Sequence, residues 1–286
     1  MHEQSQRLDQ ATRLRQIAMN AKAAPKSVVP HVITVTSGKG GVGKSTVALN
    51  LAIKLSDFGK HVLVVDADAN LGNLDVMLGI SPKLRLGDVL RGDRHFEDVI
   101  VTPRPGLAIL PGSSGDASYP APGPGDIGQI VDDLAVLEPR FDCIIVDTSA
   151  GLSPDIISFA VNSDETIVVT NPEPTAIMDA YAVIKVISLA KPEAVLQVLM
   201  NGARTPRDAD EAARKLHLAI NHFLKIETPY LGSIPFDPNV ARAIARQHPV
   251  VEAFPMSAAS LSIQNLAQRV TSRSLSMTSR RSLSWQ

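Results

Sequence analysis

The chain has 286 residues, a formal net charge of −1 and 44% hydrophobic residues, enough for a sizeable core. The near-neutral balance and 4% aromatic content exclude a strongly basic nucleic-acid sleeve or an aromatic platform for stacked single strands. The single cysteine, Cys143, excludes a disulfide framework and a cysteine zinc site, and no apolar run approaches the ~18 residues of a membrane span.

Residues 1–24 carry Leu8, Ala11, Leu14, Ile17, Ala18 and Ala21 at helical spacing, with Arg7, Arg13, Arg15 and Lys22 around them. The spacing predicts an amphipathic helix, broken by Ala23-Ala24-Pro25-Lys26-Ser27 and by Pro30. Periodicity alone favours a solvated or self-docked tail. The polar start lacks the pattern of a secretory signal, so a cytoplasmic chain is expected.

Val32 to Thr36 is a β-branched run that reads as a buried strand, and Val47 to Leu55 reads as an apolar-faced helix. Between them Gly38 to Ser45 fits G-x-x-x-x-G-K-S/T, the phosphate-binding loop. Gly38, Gly40, Gly41 and Gly43 let the backbone N–H groups of the loop, Val42 and Thr46 included, curl inward around a polyanion at a helix N-terminus. Lys44 is expected at the β- and γ-phosphates and Ser45 on Mg²⁺.

Val62 to Val65 predicts a strand buried on both faces, hence a parallel sheet. Asp66 and Asp68 leave its carboxyl end, where doubly wound sheets bind ligands. Residues 80–105 read as short amphipathic turns, Leu107–Leu110 as a strand, and 111–128 as a Gly/Pro/Ser-rich loop. Phe141 to Val146 predicts a strand ending in Asp147, a Walker B carboxylate that holds magnesium through a water, with Cys143 in the core.

Glu165–Thr170 predicts a strand, followed by Asn171-Pro172-Glu173-Pro174 and a helix from Thr175 to Ala190. Val195–Met200 predicts a strand ending in Asn201, and helices are expected at 208–224, 240–247 and 258–270. In residues 271–286 the apolar Leu275, Met277, Leu283 and Trp285 form no single helical stripe, so a disordered Ser/Arg-rich tail is favoured over a membrane-binding helix. The alternation of strands and helices predicts an α/β fold with a doubly wound, mostly parallel sheet.

The second loop lysine, Lys39, gives K-G-G-x-G-K-S/T, which resembles the deviant Walker A loop of the MinD/ParA ATPases. The resemblance implies that Lys39 reaches the phosphates of a partner subunit across a nucleotide-sandwich homodimer. Val65-Asp66-Ala67-Asp68 followed by Leu71-Gly72-Asn73-Leu74-Asp75 resembles that family's switch I. It implies that Asp68 positions the attacking water and that Asp66 supports magnesium through water. Ala150-Gly151 resembles switch II, and Asn171 and Glu173 would lie near the dimer face. Asn201 would meet the adenine edge, and the G-x-I-P-x-D element at Gly232 to Asp237, with Pro235, would close over the base.

Asp9-Gln10-Ala11-Thr12-Arg13-Leu14-Arg15 resembles the D-Q-A-x-x-L-R element of the FlhG/FleN (YlxH) family of flagellar MinD-like ATPases. By that resemblance Asp9, Gln10, Leu14 and Arg15 activate an FlhF-type GTPase, with the Gln10 amide suited to orienting a water. The expected organisation is an activator helix and linker at 1–30, an ATPase domain at 31–270 and a tail at 271–286. The implied activity is slow, dimer-dependent hydrolysis of ATP to ADP with Mg²⁺, setting flagellar number and placement. Implied partners are flagellar switch (C-ring) proteins or a flagellar transcription activator, with weak peripheral membrane association and no specific nucleic acid. Two alternatives stay open: a positioning ATPase for a division site, chromosome or other cargo, and an ATP-binding regulator of a flagellar transcription activator.

Overall fold

In the computed structural model the described residues are 30–68, 72–112 and 140–281, with side chains described as far as Ser272. The expected activator helix, including Asp9, Gln10, Leu14 and Arg15, lies outside them, as do Ala69 to Leu71, most of the 111–128 loop, and residues 282–286.

The chain alternates strand and helix from its first described element. In order these are β1 (His31–Ser37), α1 (Lys44–Asp57), β2 (Val62–Ala67), α2 (Leu74–Leu78), α3 (Leu86–Leu90), α4 (Phe96–Val99), β3 (Val101–Arg104), β4 (Leu107–Leu110) and β5 (Cys143–Ala150). Then follow α5 (Pro154–Asn162), β6 (Glu165–Thr170), α6 (Pro174–Ala190), β7 (Leu196–Ala203), α7 (Pro206–Phe223), β8 (Tyr230–Pro235), α8 (Pro238–Ala245), α9 (Val250–Ala253) and α10 (Ala258–Arg281). The strands form one 8-stranded sheet in the order β3-β4-β2-β5-β1-β6-β7-β8. Every neighbouring pair is parallel except the β3–β4 hairpin. This is the doubly wound α/β sheet expected from the sequence.

Successive side chains of a strand point to opposite faces, so parity sorts the core into layers. Ile33, Val35, Val62, Val64, Ile145, Ile167, Val169 and Leu199 join the cluster built with α1 and α10. On the other face Val168, Val198 and Met200 pack with α6 and α7. Leu63, Val65, Ile144 and Val146 pack on that face with Phe159 of α5. Asp66, Asp147 and Asn201 share parity with Val64, Ile145 and Leu199. The strand pattern therefore delivers all three to the α1 face, at the carboxyl ends of their strands.

Several elements depart from the sequence reading: the strand β8 and the short helices α2 and α9 were not expected, and three more differ in instructive ways. β3 lies within what read as amphipathic turns, where Thr102-Pro103 hides a four-residue edge strand. α5 was not expected, although Ser153 followed by Pro154 and then Ile156, Phe159 and Ala160 is a legible helix start and apolar face. α10 continues to Arg281 instead of ending at Val270.

At β8 the register with β7 slips between Tyr230 and Gly232, leaving Leu231 as an extra residue. Gly232 takes φ +111°, a left-handed value that glycine adopts without a Cβ penalty. Arg269 of α10 donates from Nη1 to the Leu231 carbonyl at 2.6 Å.

Candidate functional site

β1 ends at Ser37, and the chain turns into the N-terminus of α1 through Gly38 to Gly43. Gly43 has φ +89° and Gly41 φ +78°, conformations that side chains other than glycine's rarely adopt. The turn is gripped from two sides. A Cβ on Gly38 would lie 2.3 Å from the Asp179 backbone of α6, and one on Gly43 would lie 2.3 Å from Asn201 Nδ2. The loop therefore needs glycine for close approach at Gly38 and for both conformation and space at Gly43.

The loop opens into a cavity of about 390 Å³ lined in part by Gly40, Gly41, Gly43, Lys44, Ser45, Thr46 and Asp68. Ser37 and Ala150 at the strand ends, Asn73, Val76 and Met77 at and in α2, and Ile244 from α8 complete its walls. Asn73 falls in the switch I resemblance, whereas the sequence reading missed Val76, Met77 and Ile244. Their only signal is that they follow or face the motif elements in the fold.

Lys44 is buried, and its Nζ lies 3.1 Å from Asp147 Oδ1 and 3.5 Å from Ser45 Oγ. Burial pushes the Asp147 carboxyl up, against the Lys44 charge and the Ser45 and Lys44 hydrogen bonds that pull it down. Asp66 Oδ1 accepts from the Asp68 N–H at 3.4 Å, and Oδ2 accepts from the Leu74 N–H at 3.3 Å. Asp66 thus holds both ends of the segment that carries Asp68. Burial, followed by repulsion from Asp147, pushes Asp66 up to about 7.

Lys39 stands apart from Lys44. It lies 38% exposed on the outer lip of the loop, with its Nζ 2.6 Å from Glu173 Oε2 and 3.1 Å from Thr175 Oγ1. Asn171 accepts from the Glu173 N–H at 3.1 Å, shaping the entry to α6. Thr175 is a further residue that the motif reading did not single out.

The residues expected at the base divide. Asn201 reaches the loop itself, donating from Nδ2 to the Val42 carbonyl at 2.7 Å. Asp237 is engaged in capping: Oδ1 accepts from the Asn239 N–H at 2.9 Å and Oδ2 from the Ala259 N–H at 3.1 Å. It ties the N-termini of α8 and α10 together, with Pro235 closing β8 just ahead of it.

These donors fit Mg²⁺ and a polyphosphate. A glycine cradle sits at a helix N-terminus, beside a buried Lys–Asp pair and a serine hydroxyl. Among the described residues no cluster of three or more His, Cys, Asp or Glu side chains suits a metal on its own. Magnesium typically keeps waters and phosphate oxygens beside one or two protein groups, and Ser45 with Asp147 is such a set.

The model of the CobQ/CobB/MinD/ParA nucleotide binding domain matches residues 33–250. The chain belongs to the MinD/ParA family. It is 38% identical over 242 residues to the antiactivator FleN of Pseudomonas aeruginosa, covering 85% of this chain and 86% of that protein. It is 35% identical over 272 residues to the flagellum site-determining protein YlxH of Helicobacter pylori, covering 93% and 91%. Among solved structures, MinD of Pyrococcus horikoshii complexed with Mg-ADP superposes with a TM-score of 0.72 at 32% identity, covering 84% of this chain and 96% of that one.

This MinD/ParA protein is accordingly an ATPase using ATP/ADP and Mg²⁺, and it lies on the FleN/YlxH branch of flagellar regulators. No helix among the described residues is long and apolar enough to cross a membrane.

Proposed function

We propose that this ATPase is a switch in which ATP joins two copies of the chain and hydrolysis separates them, acting on flagellar number and placement. The observation that carries the reading is the division of labour between the two loop lysines. Lys44 is buried beside Asp147 and serves its own loop. Lys39 stands on the exposed lip with Glu173, where a second copy can reach it.

In this reading the backbone N–H groups of Gly40 to Thr46 and the Lys44 ammonium hold the phosphate chain. Ser45 and Asp147 hold magnesium, and Asp66 supports it through water. The ion supplies neutralisation of the charge that builds on the β- and γ-phosphate oxygens. Asp68 orients the attacking water from a segment whose two ends Asp66 already fixes. Lys39 of the second copy adds a positive charge at the transferred phosphoryl group, so turnover requires association and is slow in the isolated chain. Nucleotide shifts the association equilibrium only as far as it binds the paired form better.

The D-Q-A-x-x-L-R element at Asp9 to Arg15 extends the reading to stimulation of an FlhF-type GTPase through Gln10, Leu14 and the charges of Asp9 and Arg15. Flagellar switch proteins or a flagellar transcription activator are the further partners of this reading. The FleN and YlxH relatives support the flagellar assignment.

Sedimentation of wild type and Lys39→Ala with Mg-ATP tests the switch. Wild type should associate with ATP and not with ADP, and Lys39→Ala should stay monomeric in both. Association of Lys39→Ala equal to wild type would remove the reading. GTP turnover by the FlhF-type GTPase, with and without a peptide of residues 1–24 and its Gln10→Ala control, tests the second part.

A further inference from the structure

We infer that Asn201 is a positioning residue for the phosphate loop, a role distinct from any contact with the adenine base. Its Nδ2 donates to the Val42 carbonyl at 2.7 Å, across the 159 residues that separate them in sequence. The same amide fills the space beside Gly43, where a Cβ would come within 2.3 Å of Nδ2.

The argument rests on the geometry of the peptide unit. In a phosphate-binding nest the N–H groups turn inward, so the carbonyls turn outward into the protein, where they need partners. The Val42 carbonyl shares one planar peptide with the Gly43 N–H, and the two point in opposite directions. Holding the carbonyl outward therefore aims the Gly43 N–H into the nest. Gly43 is the residue at φ +89°, and the conformational freedom that admits this value also lets the neighbouring peptide rotate. A rotated peptide would turn an oxygen toward the phosphates in place of an N–H. Asn201 opposes that rotation with a single charge-neutral hydrogen bond.

The fold makes Asn201 a firm support. It shares parity with Leu199, which is 1% exposed in the α1 layer, and the paired β6 and β7 carry it beside the loop. The Val42 side chain is 4% exposed in the same cluster. The hydrogen bond thus joins two anchored groups, so little ordering entropy opposes it.

A role confined to the base and a role on the loop separate when the ligand has no adenine. The full-length Asn201→Ala and Asn201→Asp proteins are titrated with Mg-ATP, Mg-UTP and inorganic Mg-tripolyphosphate, by competition against a fluorescent ADP analogue. Loss of the hydrogen bond should weaken all three by a common factor of about tenfold. Asn201→Asp keeps the side chain's size but has no donor, and should be at least as weak as Asn201→Ala on tripolyphosphate. The KM for ATP should rise by the same factor, with kcat changed less. Weaker ATP binding with unchanged tripolyphosphate and UTP binding would overturn the inference and leave Asn201 as a base contact. Unchanged binding of all three ligands would overturn it as well. The tripolyphosphate result does not depend on dimerisation or on flagellar partners, so it stands or falls apart from the proposed function.

Discussion

Lys39 Nζ and Glu173 Oε2 lie 2.6 Å apart within one chain. The Lys39 hydrogen bond and charge hold the Glu173 carboxyl below its ordinary range. Both side chains are well exposed, so the pair adds little to folding. It does compete with any other use of Lys39. Glu173→Gln should leave the thermal midpoint unchanged and lower the ATP concentration needed for association by no more than about fivefold. Sedimentation across an ATP titration measures this, and weaker association in the variant would show that Glu173 supports the paired form.

Asp66 predicts a pH dependence with a definite sign. Its carboxyl titrates near 3.8 when unperturbed and at about 7 in the fold. The folded protein therefore binds the extra proton between these values. The stabilising contribution is fully present below pH 4 and is lost as pH rises through about 7, a total of roughly 4 kcal/mol. With EDTA present and nucleotide omitted, the wild-type midpoint should fall from pH 5 to pH 8 more than that of Asp66→Asn. Parallel curves for the two proteins would contradict the assignment.

Asp237 caps two helices with one carboxylate. Burial would raise its carboxyl, but the Ala259 and Asn239 N–H groups, together with hydrogen bonds from the Ser257 and Asn239 side chains, outweigh it and hold the group below the usual range. Asp237→Ala removes both caps and should destabilise the fold by about 2–3 kcal/mol, at about 1 kcal/mol or more for each cap. Urea unfolding should show a lower midpoint with the same slope.

Gly38 and Gly40 should respond differently to alanine. A Cβ at Gly38 meets Asp179 backbone atoms at 2.3 Å, whereas one at Gly40 meets nothing within 4 Å. Gly38→Ala should cost about 1–3 kcal/mol of stability through a forced shift of α6 against the loop. Gly40→Ala should keep the wild-type unfolding midpoint. Thermal unfolding of the two variants side by side checks the contrast.

The loop at Gly38 to Ser45, the strand ending in Asp147 and the pair Asp66 and Asp68 were legible because phosphate and metal chemistry demands fixed residue types at fixed spacing. The parallel sheet was legible because strands buried on both faces are apolar throughout. What escaped was set by packing at a distance. Nothing local reveals that Asn201 reaches Val42, that Gly38 abuts Asp179, or that Ile244 walls the cavity. Asp237 read as a base contact from its motif, and nothing local revealed that its carboxylate also caps two helices that only the fold brings together. β3 escaped because four residues with a proline carry too little periodicity.

The β8 bulge has a consequence for how copies of this chain meet. A sheet edge with free carbonyls is a template on which a foreign strand can continue the ladder. At β8 the slipped Leu231 carbonyl is already held by the Arg269 guanidinium, and an arriving strand would have to displace a cation. At the far edge β3 is short and contains Pro103, which has no N–H to offer, while Arg104 is tied to Asp57 and Glu252. Among the described residues both ends of the sheet thus resist runaway polymerisation, a safeguard that the proposed pairing and separation of two copies would need.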